Sequence, residues 1–275
     1  MCAIDQWVNR VMEGDCLEVM ADFPSASIDM VLTDLPYGLT HNTWESLIDL
    51  EALWQQYKRV VKPSGAILLT GQGLFTARLI LSNPEMFRYK MVWIKSKATN
   101  FLNARKQPLR KHEDICVFYE QHPVYHPQWQ PGKPYDKGRR KGGSDNYNHF
   151  KESPIRNLSG KRFPLDVLHY EEDRLDYIYC KTAETEEKTV HATQKPVALG
   201  RYLIRTYSNE GDIVLDNTCG SGSFLVAAIL EGRRFIGIEK NKSGHRSKCG
   251  GQDLIHQCRN RIDSALQQRN QLFYF

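Results

Sequence analysis

Two rhythms of apolar and polar positions alternate along this chain. Short apolar runs at Met30–Thr33, Ala66–Thr70, Met91–Ile94, Ile115–Tyr119, Ile213–Asp216 and Phe235–Glu239 have the length and composition of buried strands. Between and after them, helical spacing marks Glu45–Val61, Leu74–Leu81, Val197–Ser208, Gly222–Glu231 and Gln252–Gln268. Strand and helix in alternation predict an α/β fold with a mostly parallel, doubly wound sheet covered on both faces. Such sheets bind ligands at the carboxyl ends of their strands. The alternation stops from roughly Gln121 to Val190, where Pro123, Pro127, Pro131, Pro134, Gly138, Gly142 and Gly143 crowd together. That stretch reads as an irregular insertion or small subdomain, 121–190, within a single domain spanning 1–275. Lys240 to Gly251, polar and glycine-rich, reads as a surface loop.

The first informative motif is Asp34-Leu35-Pro36-Tyr37, directly after the run that ends at Thr33. It places a carboxylate at a strand end, on a proline-stiffened backbone beside an aromatic ring. Those groups suit a flat base with an exocyclic amine: Asp34 and the Leu35 carbonyl accept from the amine, and Tyr37 stacks on the ring. The second motif is Asp216-Asn217-Thr218-Cys219-Gly220-Ser221-Gly222-Ser223, which reads as strand, glycine turn and helix start. Its glycines admit close approach of a ligand, and the helix start offers N–H groups to an anion. Glu239 ends the next strand about twenty residues on, where an acid accepts ribose hydroxyls. The third glycine of a dinucleotide fingerprint is missing, which favours a smaller nucleoside ligand. A third segment, His191-Ala192-Thr193-Gln194-Lys195-Pro196, puts a proline at the first helical position with Thr193 as its cap.

The formal charge of +5 is mild, but its distribution is uneven. Lys95 to Lys111 carries six cations and no acid, Lys133 to Arg162 is basic, and Glu171 to Glu187 is acidic. The basic, aromatic-bearing half suggests a polyanionic partner. Seven scattered cysteines without a Cys-x-x-Cys pair fit reduced thiols better than disulfides or zinc. His122 and His126 have helical spacing, but Pro123 and Pro127 make them loop residues, so no metal is expected. No apolar run approaches membrane-spanning length, and the amino terminus lacks the pattern of a signal peptide, which predicts a soluble, cytoplasmic protein.

In this order the motifs resemble the amino-methylating DNA methyltransferases of the beta class. That family acts on adenine N6 or cytosine N4 with S-adenosylmethionine, and its catalytic motif precedes its cofactor motif. Further matches are Gly14-Asp15-Cys16-Leu17, Lys62-Pro63-Ser64-Gly65, Trp93-Ile94-Lys95, Phe101-Leu102-Asn103-Ala104-Arg105 and His112-Glu113. The chain departs from the family in three places. Leu35 replaces a proline, Asn217-Thr218-Cys219 stands where many members have Pro-Phe, and the loop after Glu239 is longer than usual. The resemblance implies a Rossmann-like methyltransferase fold and methylation of a flipped-out adenine in double-stranded DNA. It makes Asp34, Leu35, Pro36 and Tyr37 catalytic. It puts the cofactor's ribose at Glu239 and its adenine near Asp15 and Cys16. Thr193, Gln194, Lys195 and the turn from Asp216 to Ser223 (with Asn217, Thr218, Gly220, Ser221 and Gly222) hold the methionine end, and Asp34 reaches the cofactor ammonium. Phosphates fall to Lys97, Arg105, Lys106, Arg110, Lys111, Arg139 and Arg140, and the insertion becomes the target-recognition region. A homodimer and a cognate restriction endonuclease, in a bacterial, archaeal or phage setting, go with the family. Cytosine-N4 or RNA adenine methylation and a non-catalytic DNA-binding subunit are the alternatives. No cysteine follows a proline, which argues against cytosine-C5 chemistry. The motif order argues against protein-glutamine methylation.

Overall fold

The computed structural model describes residues 3–38, 47–140, 153–168, 194–240 and 253–272. Its strands are β1 (Arg10–Glu13), β2 (Ile28–Thr33), β3 (Val61–Gly71), β4 (Phe87–Thr99), β5 (Arg110–Phe118), β6 (Tyr135–Arg140), β7 (Ser153–Asn157), β8 (Val167–Leu168), β9 (Ile213–Asp216) and β10 (Arg234–Glu239). Its helices are α1 (Cys16–Ala21), α2 (Leu50–Val60), α3 (Leu74–Ser82), α4 (Val197–Tyr207), α5 (Ser223–Leu230) and α6 (Leu254–Leu272). Eight strands form one sheet in the order β1-β10-β9-β2-β3-β5-β4-β8. Neighbours from β1 to β3 are parallel, β5 runs against both β3 and β4, and β8 lies parallel to β4.

Strand alternation divides the core into two layers. Met30, Leu32, Ala66 and Leu68 face one way and join Leu203, Phe224, Leu225 and Ile262 from α4, α5 and α6. Val31, Ile67 and Leu69 face the other way and join Met20, Leu53, Tyr57 and Phe75 from α1, α2 and α3. Both faces of the central strands are therefore covered, which is why β2 reads as a near-continuous apolar run. Helix α2 starts where Asp49 Oδ1 accepts the Glu51 backbone N–H at 2.9 Å, and it buries Leu53, Trp54, Tyr57 and Val60 along one stripe. Helix α5 is buried from Ser223 to Ile229, because α4 and α6 enclose it.

The sheet reverses its winding between β2 and β9. Ligand crevices in doubly wound sheets lie at such a reversal, outside the carboxyl ends of the strands. The connection between β4 and β5 emerges at the same end, since β4 is antiparallel to β5 and β5 to β3.

The structure corrects several expectations. The stretch 121–190 is not irregular throughout: β6 and β7 pair as an antiparallel hairpin, and β8 extends the main sheet. The hairpin sequences carry little apolar alternation, so pattern reading passes over them. β1 and α1 are too short to register as periodic. The antiparallel hairpin β4–β5 is longer than its two predicted apolar cores, because its outer ends are polar and exposed. Helix α2 begins at Leu50, after an extended Asp49, and Glu45 and Ser46 of the expected start lie outside the described residues. Pro196, expected as the first helical residue, is the N-cap of α4, which starts at Val197. His191, Ala192, Thr193, the acidic segment 171–187 and the loop 241–250 lie outside the described residues.

Candidate active site

Two turns from distant parts of the sequence meet at the winding reversal. Thr33, the last residue of β2, places its hydroxyl 2.8 Å from Asp216 Oδ1 and 2.7 Å from the Thr218 hydroxyl. Thr218 Oγ1 in turn donates to the Asp34 backbone carbonyl at 3.1 Å. These bonds lock the turn after β2 against the turn after β9. All three side chains are buried or nearly so, and the low-dielectric setting strengthens each bond.

The Asp34 carboxylate takes three donors. Tyr37 Oη lies 2.8 Å from Oδ1, and the Thr70 hydroxyl donates to the same oxygen. Tyr37 and Thr70 are also 3.1 Å apart; with one proton each, both are satisfied by donating to Asp34. Lys195 Nζ donates to Oδ2 at 2.6 Å. The Tyr37 ring stacks on Phe75, centroids 4.8 Å apart, with the Lys195 ammonium 5.7 Å from its centroid. Burial, then the charges of Asp34 and Glu113, push the Tyr37 phenol well above its usual range, so it stays a donor. The Leu35 side chain is buried under the loop and pins it to the core.

Lys195 bridges two carboxylates. Its Nζ is 3.2 Å from Glu113 Oε2, an ion-pair distance without the alignment of a hydrogen bond, so this buried oxygen keeps unmet accepting capacity among the described residues. Glu113 Oε1 binds Lys95 Nζ at 3.1 Å, and Lys95 reaches the Thr99 hydroxyl at 3.2 Å. Burial disfavours the Lys195 charge, but Asp34 and Glu113 more than offset that and raise its pKa. For Glu113 burial is likewise outweighed, by Lys195 and Lys95, and its carboxyl titrates below its usual range.

The second turn is built on glycine conformations. Gly220 and Gly222 have φ of +51° and +79°, in the left-handed region that other residues adopt at a cost. Gly220 N–H donates to Glu239 Oε2 at 2.7 Å, so the acid ending β10 holds the turn. Tyr57 Oη donates to Asn217 Oδ1 at 2.6 Å. Asn217 Nδ2 is buried without a hydrogen-bond partner among the described residues. Burial pushes the Cys16 thiol up and Asn217 partly counters it; a sulfur is at most a weak acceptor for that amide. Asp216 is raised to about 8, chiefly by burial, against the pull of Thr33 and the Thr218 N–H.

The remaining predicted residues divide by location. Asp15 caps α1, accepting from Leu17 N at 3.0 Å, and pairs with Lys240 at 2.6 Å, which lowers its pKa. It stands beside Glu239, whose carbonyl accepts from Gly14 N at 3.0 Å. Gln194 is half-buried ahead of Lys195. Ser221 and Ser223 are buried, and both hydroxyls accept from Arg261 Nη1 at 3.1 Å. Lys97, Arg105, Lys106, Arg110 and Lys111 are exposed on and around the β4–β5 connection, at the same end of the sheet as Asp34, and Arg110 reaches Gln72 at 3.2 Å. Arg139 is exposed on β6; the Arg140 side chain lies outside the described residues. His122 and His126 sit in a loop, and among the described residues no cluster of three potential metal ligands occurs.

Sequence reasoning missed Thr33, Thr70, Glu113 as a site residue, Tyr57 and Arg261. A threonine at a strand end carries no signal of its own. The pair His112-Glu113, part of the resemblance, is the signal that points to the acid.

Comparison with known proteins places the chain among enzymes of one kind. The N6/N4-methyltransferase family model, described as DNA methylase, matches residues 28–247. The DNA adenine methyltransferase YhdJ of Escherichia coli K12 is 25% identical over 240 residues, covering 84% of this chain and 78% of YhdJ. The type II methyltransferase M.BglII of Bacillus subtilis is 28% identical over 262 residues, covering 86% of this chain and 67% of its own. Among solved structures, M1.HpyAVI in complex with SAM shares the fold with a TM-score of 0.57 at 20% identity, over 92% of this chain and 98% of that one.

Proposed function

We propose, from the premise that this chain belongs to the N6/N4 DNA methylase family, that it transfers a methyl group from S-adenosylmethionine to the exocyclic N6 of an adenine extruded from double-stranded DNA. One observation carries the reading. Asp34, whose carboxylate is an acceptor for an amine, is locked through its backbone carbonyl by Thr218, with Thr33, to a glycine turn that suits a nucleoside cofactor. The 25% identity to an enzyme named for adenine favours N6 over cytosine N4.

The residues of the second turn fit the cofactor. The Asn217 amide N–H, which among the described residues faces at most the weak acceptor Cys16, and the open space before Gly220, where an added Cβ meets nothing within 4 Å, suit its carboxylate and backbone. Glu239 would bind the ribose, Asp15 and Cys16 would flank the adenine, and Gln194 and Lys195 with the Asp216–Ser223 turn would hold the methionine end. Thr193 joins them on resemblance alone. When bound, S-adenosylmethionine supplies an electrophilic methyl group on a sulfonium.

This chain's residues do the positioning. Asp34 and the Leu35 carbonyl accept from the target amine, Pro36 fixes that backbone, and the Tyr37 ring backs the base. Engaging both amine protons weakens delocalisation of the nitrogen lone pair into the ring. Extruding the base costs a few kcal/mol, offset by stacking and edge hydrogen bonds. Lys97, Arg105, Lys106, Arg110, Lys111, Arg139 and Arg140 grip phosphates, so affinity falls as salt rises. The relative M.BglII is a type II methyltransferase, and a partner endonuclease reading the same sequence suits that setting.

The test is methyl transfer from labelled S-adenosylmethionine to unmethylated genomic DNA, followed by nucleoside mass spectrometry. N6-methyladenine is the expected product. N4-methylcytosine would keep the site and change the base, and no DNA product would overturn the reading.

A further inference from the structure

We propose that Lys195 is a placeholder for the substrate amine, and that Glu113 is the positioning residue that receives Lys195 when the amine arrives. The inference rests on the reading of Asp34 as the amine acceptor. Asp34 has no idle oxygen: Oδ1 is shared by Tyr37 and Thr70, and Oδ2 holds Lys195 at 2.6 Å. An incoming amine meets the carboxylate at its less crowded oxygen, Oδ2, where the Lys195 ammonium already stands at 2.6 Å and competes with it. Tyr37 is fixed by its stack on Phe75, and Thr70 belongs to the buried strand β3. Lys195, on a flexible four-carbon stem, is the donor that can leave.

The Lys195 side chain is only 10% exposed, so on leaving Asp34 its ammonium meets little water. A buried ammonium stripped of its counter-charge is strongly destabilising. Glu113 removes that obstacle. Its Oε2 already stands 3.2 Å from Nζ with unmet accepting capacity, so a small shift makes an aligned bond. Lys95, 6% exposed, holds the other Glu113 oxygen and keeps the acid from following Lys195 towards Asp34. Two carboxylates and two ammonium groups balance before and after the exchange. The ammonium changes partners, and the cluster's net charge stays at zero.

The groups facing Lys195 are Asp34 and Tyr37 after β2 and Glu113 on β5, with Lys95 on β4 behind Glu113 and Asp216 within electrostatic reach of Asp34. In Glu113→Gln the departing ammonium has only a neutral amide to meet. The experiment measures steady-state methylation of unmethylated genomic DNA by wild type, Glu113→Gln and the double variant Glu113→Gln/Lys195→Met, with calorimetry of S-adenosylmethionine binding and melting curves. Glu113→Gln is expected to lose about 100-fold in kcat at neutral pH, the scale of an unpaired buried charge, with cofactor affinity within about threefold of wild type. Its activity should climb between about pH 7.5 and 9.5, as the stranded ammonium loses its proton, while wild type stays flat. At saturating S-adenosylmethionine the double variant should exceed Glu113→Gln by about tenfold, because the Lys195 ammonium then needs no new partner, while Lys95 loses the Glu113 charge in both variants alike. Wild-type activity in Glu113→Gln overturns the proposal. So does a loss that is independent of pH and not relieved by Lys195→Met, which would mark Glu113 as merely structural. Failure of the underlying reading shows separately, as turnover by Asp34→Ala.

Discussion

Replacing each glycine of the turn after β9 with alanine separates its packing from its ligand face. Gly222 has φ +79°, and a Cβ there would stand 2.5 Å from Cys258 Sγ on α6. Left-handed backbone costs an L residue about 1–2 kcal/mol. The sulfur can rotate away only by giving up its contact with Cys219, which adds an overpacking cost of about 1–2 kcal/mol. Gly222→Ala should therefore lower the unfolding free energy by about 2–4 kcal/mol. Gly220 has φ +51° with nothing within 4 Å of an added Cβ, so Gly220→Ala carries the backbone cost alone, about 1–2 kcal/mol. That same open space is where the cofactor is proposed to approach, and a methyl group there blocks it. Urea denaturation and calorimetry with S-adenosylmethionine read the two effects separately. Gly222→Ala should show the larger stability loss, and Gly220→Ala should show at least a tenfold loss of affinity, about 1.4 kcal/mol. Wild-type stability in Gly222→Ala would refute the packing of α6 on the turn. Wild-type affinity in Gly220→Ala would refute the approach route.

Asp34→Ala should abolish methyl transfer and leave cofactor affinity within about fivefold, about 1 kcal/mol; turnover near the wild-type rate would remove Asp34 from the chemistry. Glu239→Ala should weaken cofactor binding by about 1–3 kcal/mol, the worth of hydrogen bonds to a charged group; unchanged calorimetric affinity would sink the ribose assignment. Asp216 titrates at about 8 in the fold, against 3.8 as its ordinary value. The folded state thus binds this proton more tightly than the unfolded chain. Its contribution to stability is complete below about pH 4 and is lost as pH rises to about 8. The stability of wild type relative to Asp216→Asn should fall across that window, by up to about 1.4 kcal/mol per pH unit. A difference that does not vary with pH would show that Asp216 is ionised throughout.

What the sequence disclosed was local. Asp34–Tyr37 and Asp216–Ser223 are each contiguous, and their strand-then-turn chemistry can be read in a window of about ten residues. Five of the six predicted strand cores lie inside observed strands and Ile115–Tyr119 overruns β5 by one residue; the parallel ones are legible because buried parallel strands are apolar on both faces. What stayed hidden depends on distant partners. The four amino acids of the Asp34–Lys195–Glu113–Lys95 cluster come from three separate parts of the chain, and Lys95 and Glu113 look like ordinary surface charges until the fold buries them. Arg261 lies in a helix whose pattern was legible, but nothing in that pattern reveals that its guanidinium reaches Ser221 and Ser223. β1 holds only Val11 and Met12 as apolar residues and becomes a strand through its pairing with β10.

The bond between Thr33 and Asp216 joins residues 183 positions apart. At about 5–20 residues per second, a ribosome takes about 10–40 s to get from one to the other. Through that interval the flank of β2 that will receive β9 has no partner, and an unpaired strand edge invites pairing with other chains. The centre of this sheet thus closes late in synthesis, followed by β10, which joins β9 to β1. Slowed translation beyond β8 would prolong that exposure, and a chaperone that shields strand edges would matter most while residues 34–212 are being made.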